Sequence, residues 1–429
     1  MTKKKRAWGQ QESRRRNRMG YLEYIEGGVT AAKGFEAAAT AAGIKYQGRT
    51  DMAMVYSEKP CKAAGTFTTN VVKAAPVKWD QKVVKGTAPV HAVIVNSGIA
   101  NACTGAEGMS CCQATADAAA EILGIDPAGV LIGSTGVIGM QIPVDKITAG
   151  IRQLAENKKA DLASGTKAAE AIMTTDTYKK EKAVVFTTED GTKVTLGGMA
   201  KGSGMIHPNM CTMLSFITTD AAISKEALQQ VLSADIQDTY NMISVDGDTS
   251  TNDTVLLLAN GEAGNPEIQA GTEDCVRFAA ALREVTEYLS KKLAGDGEGA
   301  TALFEVTIKG AQTKEQARTL AKSVVCSNLT KTAIAGHDAN WGRILCAMGY
   351  SGAQFDPEKV DLFFSSEAGT IQIIENGVAV DYSEEEATKI LSMPEVTAVA
   401  DIKEGTEEAT AWGCDLTHEY VTINADYRS

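Results

Sequence analysis

The sequence predicts an α/β protein followed by a smaller α+β lobe, and three observations carry the prediction. Short apolar, β-branched segments bounded by turn residues recur from Met52 to Ala259 and read as strands. Ala-rich or amphipathic runs with capping residues alternate with them and read as helices. After the acidic turn Gly295-Asp296-Gly297-Glu298-Gly299-Ala300 the pattern restarts as strand, helix, strand and hairpin, so the boundaries predicted are a basic head over 1–18, an α/β lobe over 19–300 and an α+β lobe over 301–429.

In chain order, the Gly-rich stretch 27–35 is a turn, and Met52–Val55, Ala64–Phe67 and Val90–Val95 are strands. The last runs into Asn101-Ala102-Cys103-Thr104-Gly105, a small-residue loop where a ligand can touch backbone. Met109–Leu123 is a helix closed by Gly124, and its adjacent Cys111 and Cys112 diverge by about 100°, too far apart in direction to share a metal. Val130–Ile132 is a buried strand leading to Gly133-Ser134-Thr135-Gly136-Val137-Ile138-Gly139, whose backbone N–H groups can converge on an oxyanion or a phosphate. No P-loop lysine follows, which argues against nucleotide binding. Helices follow over Val144–Glu156 and Leu162–Met173, then a hairpin with an Asp190-Gly191 turn.

The hairpin delivers the chain to Lys201–Ala221, a glycine-rich turn that passes Pro208-Asn209 and Cys211-Thr212 into a buried strand. Ser224–Tyr240 reads as a helix, Val255–Ala259 as a strand and Glu273–Ala294 as a long helix. The acidic stretch Ser244–Thr254 lacks the glycine at the sixth place and the terminal glutamate of a calcium loop. In the lobe, Leu303–Ile308, Leu362–Ser365 and Tyr420–Ile423 read as strands, Lys314–Cys326 as a helix, Asn376-Gly377 as a hairpin turn, Ser383-x-x-Glu386 as a capping box and Gly336–Arg343 as a polar loop.

Composition narrows the function classes. The net charge is −12, yet residues 1–18 carry eight basic residues against Glu12, so the body is strongly acidic and unsuited to nucleic acid. The basic head lacks the interleaved aromatics of a stacking platform and an apolar face, so it reads as a disordered tail, with Met19-Gly20 a plausible alternative start. No apolar run reaches about 18 residues and no signal-like segment follows the head, which predicts a cytoplasmic protein without a membrane anchor. Nine scattered cysteines without a C-x-x-C pair predict reduced core thiols. The four histidines lack zinc-ligand spacing and no G-x-S-x-G elbow occurs.

What remains is the hydroxyl of Thr212, a weak nucleophile unless a base stands beside it. Attack on the Cys211 carbonyl, followed by hydrolysis of the ester, would free an α-amino group with a reference pKa of roughly 7.7–8.0, suited to proton transfer near neutrality. The segment Lys201-Gly-Ser-Gly-Met-Ile-x-Pro-Asn-Met-x-Thr212-Met-Leu-x-Phe-x-x-Thr219-Asp220-Ala221 resembles the self-cleavage signature of the ornithine acetyltransferase (glutamate N-acetyltransferase) family. The resemblance extends to 101–105, 134–139, 173–177, 250–254, 338–343 and 424–427, and covers the chain from about Tyr21 onward.

That resemblance implies a layered α/β sandwich with an N-terminal-nucleophile-type threonine, and cleavage between Cys211 and Thr212 into chains 1–211 and 212–429. It implies Thr212 as the acetyl-accepting nucleophile, Thr135 and Gly136 as the oxyanion hole, and substrate contacts from Thr175, Lys201, Thr212, Glu298, Asn424 and Ser429. Thr174 competes with Thr175 for its role. Lys201 suits an α-carboxylate and Glu298 an ammonium. The implied reaction moves acetyl from N-acetylornithine to glutamate within arginine biosynthesis, without metal or organic cofactor, in an assembly of two N-terminal and two C-terminal chains. Use of acetyl-CoA as a further donor is left open.

The chain departs from the family pattern at Cys211, where alanine is usual, at Ile99, where asparagine is usual, and at Ser429, which replaces threonine but keeps a hydroxyl. Two rival readings stand beside this one. The first is an N-terminal-nucleophile amidohydrolase or aminopeptidase with water as acceptor, and the second a non-catalytic binding protein using the Gly-rich loops.

Overall fold

The computed structural model describes residues 20–207 and 213–426. Cys211, Thr212, Ser429 and the head 1–18 lie outside the described residues. The chain divides into two units, one built from Tyr24–Glu298 with the tail from Ile423, the other from Gly299–Thr422.

After a short strand β1 (Leu22–Ile25), the first unit contains β2 (Phe35–Thr40), β3 (Met52–Phe67), α1 (Ala75–Lys85), β4 (Val90–Ile99), α2 (Gly105–Leu123) and β5 (Val130–Val137). It continues through α3 (Val144–Asn157), α4 (Leu162–Ala171), β6 (Lys180–Thr187), β7 (Lys193–Lys201), β8 (Leu214–Thr219), α5 (Lys225–Ile236), β9 (Ile243–Ser244), β10 (Thr254–Ala259) and α6 (Glu273–Gly295). The strand path runs β6-β7-β8-β10-β3-β4-β5.

The two segments read separately as Met52–Val55 and Ala64–Phe67 are one strand. The first half of β3 pairs with β2 and β4, and the second half, Lys62–Phe67, pairs with β10. A register shift between Tyr56 and Cys61, at the exposed Glu58-Lys59-Pro60 step, divides the halves. One strand thereby belongs to two sheet layers. Phe216 of β8 stands over Gly133 of β5, where a Cβ would come within 2.9 Å of its ring, so the layers meet face to face. β8 and β10 pair in parallel and are buried along their whole lengths, and the hydroxyls that β8 buries are satisfied internally, Ser215 by the Tyr240 hydroxyl at 2.8 Å and Thr218 by donating to the Val29 carbonyl at 2.8 Å. Helix α6, capped by the Thr272 side chain, packs outside β6 through an edge-to-face contact of Phe278 with Phe186 at 6.1 Å. Helices α3 and α4 cover β2. The result is a layered α/β sandwich.

The second unit holds β11 (Leu303–Ala311), α7 (Lys314–Cys326), α8 (Asn328–Ala335), α9 (Trp341–Gly349), β12 (Asp361–Ser366), β13 (Gly369–Glu375), β14 (Val378–Ala379), α10 (Glu384–Leu391), β15 (Glu395–Asp401) and β16 (Glu407–Cys414). Its strands run β14-β13-β12-β15-β11-β16, with α7 packed on β11 and β16. Asn376 and Gly377 both adopt positive φ, 47° and 75°, as a tight hairpin turn requires. Ser383 caps α10 by accepting the Glu386 N–H at 3.2 Å.

Two expectations need correction. Tyr420–Ile423 is not a strand but lies in α11 (His418–Ala425), because a four-residue apolar run cannot distinguish the two periods and the Thr417 hydroxyl accepts the Glu419 N–H at 3.2 Å, starting a helical turn. Gly336–Arg343 is a loop only to Asn340, whose side chain accepts the Arg343 N–H and caps α9. No helix among the described residues is long and apolar enough to cross a membrane.

Candidate active site

A cavity of about 270 Å³ opens where four strand ends of the first unit converge. β5 contributes Thr135 and Gly136, β7 ends in Lys201, β8 begins after Met213, and Ser250–Asp253 precede β10. Thr174, Thr175, Glu298 and Asn424 complete the wall. Every candidate residue within the described chain therefore lines one space.

The strand β5 reaches further than the sequence reading allowed, so Thr135 and Gly136 sit at a strand end and not in a free loop. At Gly136 φ is +128° and a Cβ would lie 2.2 Å from the Gly98 carbonyl carbon, so only glycine lets β4 and β5 approach here. Asn252 ties the same edge together, donating to the Ala100 carbonyl at 2.6 Å and the Ser134 carbonyl at 2.8 Å.

Lys201 is buried, with Nζ donating to the Thr174 hydroxyl at 2.8 Å and more loosely to Thr135 at 3.4 Å. The Thr175 hydroxyl bonds Ser203 at 2.6 Å, so the two threonines have different partners and both face the cavity. Burial pulls the Lys201 amine below its ordinary range, and Asp176 at 3.9 Å opposes that shift.

Beneath this wall lies a buried ionic knot. Lys180 donates to Asp176 at 2.7 Å and to Asp296 at 2.5 Å, with all three side chains at most 2% exposed. Asp176 also accepts the Thr174 N–H at 3.0 Å and the Gly202 N–H at 2.6 Å, while Asp296 takes the N–H and hydroxyl of Thr177. Burial works against the Asp176 charge, but Lys201, Lys180 and the hydrogen bonds outweigh it and hold the carboxyl down at about 2. The knot fastens segment 174–177 to the end of β7.

Across the cavity, Glu298 accepts from the Asn424 amide at 2.8 Å, and its N–H donates to the Ser203 carbonyl at 2.8 Å. Its carboxylate rests on Gly204, where a Cβ would lie 2.4 Å from Cδ. A Gly204→Ala variant must therefore push the carboxylate off its Asn424 contact. We expect a KM increase of roughly 10- to 100-fold for an amine-bearing ligand, the scale of one charge-assisted hydrogen bond, with melting temperature little changed; steady-state kinetics and a thermal melt check both.

Asn252, Asp253, Gly204 and Asp176 fall in segments of the family resemblance, but sequence reasoning gave none of them a role and did not foresee the Asp176–Lys180–Asp296 knot. The signal for the first pair was their place immediately before a buried strand, where a loop meets the sandwich. Asp253 is 1% exposed and its carboxyl is pushed well above the usual range by burial, with Ser250, Lys201 and Thr68 pulling weakly back. No group of three or more metal-ligating side chains occurs among the described residues.

The chain is 51% identical over 398 residues to the arginine biosynthesis bifunctional protein ArgJ of Thermotoga neapolitana, a match covering 92% of this chain and 99% of that one. It is also 51% identical over 410 residues to the ArgJ bifunctional protein of Symbiobacterium thermophilum, covering 95% and 100%. A crystal structure of arginine biosynthesis bifunctional protein ArgJ from Bacillus halodurans aligns with 50% of this chain and 99% of that one at 46% identity and a TM-score of 0.48. The sequence pattern of the ArgJ family itself runs over residues 36–429. A match of that span, joined to relatives half identical over more than nine-tenths of its length, means that this chain belongs to the ArgJ family.

Proposed function

We propose that the chain is an acetyltransferase of arginine biosynthesis that moves the acetyl group of N-acetylornithine to glutamate through an ester on Thr212. The observation that carries this reading is the single cavity holding a buried ammonium, Lys201, and a buried carboxylate, Glu298, on a wall that includes Met213, the residue bonded to Thr212. An amino acid needs both charges, one for its carboxylate and one for its ammonium.

In the proposed route the Cys211–Thr212 bond is cleaved first, which frees the Thr212 amino group as the local base. The Thr212 hydroxyl then attacks the acetyl carbonyl while its proton passes to that amino group. Thr135 and Gly136 receive the developing oxyanion. As the C–N bond breaks, the proton moves to the departing ornithine nitrogen, leaving acetyl on Thr212. The glutamate amine attacks this ester, and its proton returns to the threonine oxygen. Thr174, Thr175, Asn424 and Ser429 orient the ligand. The route calls on no metal or organic cofactor. Relatives bear the word bifunctional in their names, which supports a second acetyl donor, and we assign acetyl-CoA to that place. The proposed assembly pairs two N-terminal with two C-terminal chains.

The test is product analysis with N-acetylornithine as donor. Ornithine release should depend on glutamate and yield N-acetylglutamate in equal amount. Free acetate formed at the same rate without glutamate would instead identify an amidohydrolase.

A further inference from the structure

Among the charged side chains of the cavity wall, Asp253 has no task in the route above. It stands one residue before β10. The Thr254 N–H donates to the Met213 carbonyl at 2.9 Å, and the parallel register pairs Thr254 with Leu214, so Asp253 lies beside Met213 where β8 begins. The Asp253 carbonyl accepts the Thr68 N–H at 3.0 Å, which pins its backbone from the other side. Asp253 lines the cavity at 1% exposure, yet Oδ2 has no hydrogen-bond partner among the described residues. An anionic oxygen in that position would be both desolvated and unpaired, and a proton on the carboxyl removes the penalty.

The charged group that acts on Asp253 is Lys201. Lys201 is influenced in turn by Asp176 and Lys180 from the knot and by Glu298 across the cavity. Its nearest acid, Asp176, is 3.9 Å away and already taken up by Lys180 and two backbone N–H groups. The other Lys201 contacts are threonine hydroxyls, which are neutral. The ammonium is thus held in place without being neutralised at close range. A second buried anion next to it would compete with the carboxylate of a ligand.

We propose that Asp253 is a positioning residue that stays protonated so that Lys201 keeps its charge available to a ligand carboxylate, and that ionisation of Asp253 shuts this subsite. The inference rests on the reading of Lys201 as the carboxylate anchor and adds the group that keeps the anchor open.

The near-isosteric Asp253→Asn variant carries the neutral form at every pH. Calorimetric titration of L-glutamate into both proteins, from neutral to alkaline pH, needs no turnover and so is independent of whether acetyl transfer occurs. The ratio of wild-type to variant Kd should be flat at lower pH and then climb about tenfold per pH unit as Asp253 ionises. A carboxyl raised in the folded state contributes stability that is full below its unfolded pKa and lost as pH rises, so the variant should melt above wild type by a margin that widens toward neutral pH. A Kd ratio that stays constant with pH overturns the proposal, as does a variant that melts below wild type at neutral pH. Normal pH-dependent binding with no acetyl transfer would count against the catalytic reading alone.

Discussion

Lys180→Met is expected to destabilise the first unit by roughly 3–5 kcal/mol, the cost of removing one partner from a buried ionic group. Lys180 is the cation shared by Asp176 and Asp296, and neither carboxylate can reach water once it is gone. Lys201 at 3.9 Å is too far to replace it without leaving the Thr174 hydroxyl. Activity should fall with stability, because the knot positions Thr174 and the end of β7 together. Equilibrium denaturation of the intact protein measures the loss. The triple variant Lys180→Met, Asp176→Asn, Asp296→Asn removes the orphaned charges and should recover most of it; a triple variant no more stable than the single one would show that the knot is not held by charge. Acid should weaken the same feature. Asp176, held at about 2, contributes stability that is present above the ordinary carboxylate range and lost as pH falls through that value.

Thr212→Ala is expected to remain one chain of 429 residues and to lose acetyl transfer by about a millionfold, the scale of removing a covalent nucleophile. One hydroxyl is asked to perform both the cleavage and the acyl transfer, so a single substitution should abolish the two together. Thr212→Ser keeps a hydroxyl and should retain both in reduced measure. Intact mass on freshly purified protein separates 1–211 from 212–429 at once. A cut alanine variant, or an uncut wild type with full activity, would refute the mechanism. Cys211 is the local departure to watch, since its side chain is larger than the alanine usual there.

Much of the architecture was legible because local chemistry and global fold agree. The helix Lys314–Cys326 was legible from its run of helix-forming residues, and the structure adds the Thr313 side chain as its cap; the 187–193 hairpin was legible from Asp190-Gly191, where Gly191 sits at φ +88°. The lobe's polar loop was misjudged because Trp341, Gly342 and Arg343 have little helical pattern of their own, and only the Asn340 cap marks the start of α9. The strand β3 was split in two because a sixteen-residue strand that changes partners midway breaks its own alternation at Glu58-Lys59-Pro60.

By itself the sequence determined the chemistry on offer: a threonine before a buried strand, a glycine-rich turn, an oxyanion-type segment, and one lysine and one glutamate of suitable charge. Those are properties of residues and short runs, set by side-chain type and backbone permissiveness. Only the tertiary structure decided that Thr135, Thr174, Lys201, Glu298 and Asn424 share one cavity, because their positions in the chain span 290 residues and no local pattern encodes such a convergence. It also decided that Asp176 is a buried structural ion and that Asp253 is a buried acid with one oxygen unpaired among the described residues. Two aspartates alike in sequence have carboxyls shifted in opposite directions, because Asp176 is bonded by Lys180 and two backbone N–H groups, while at Asp253 burial outweighs the pull of Lys201 and two hydroxyls.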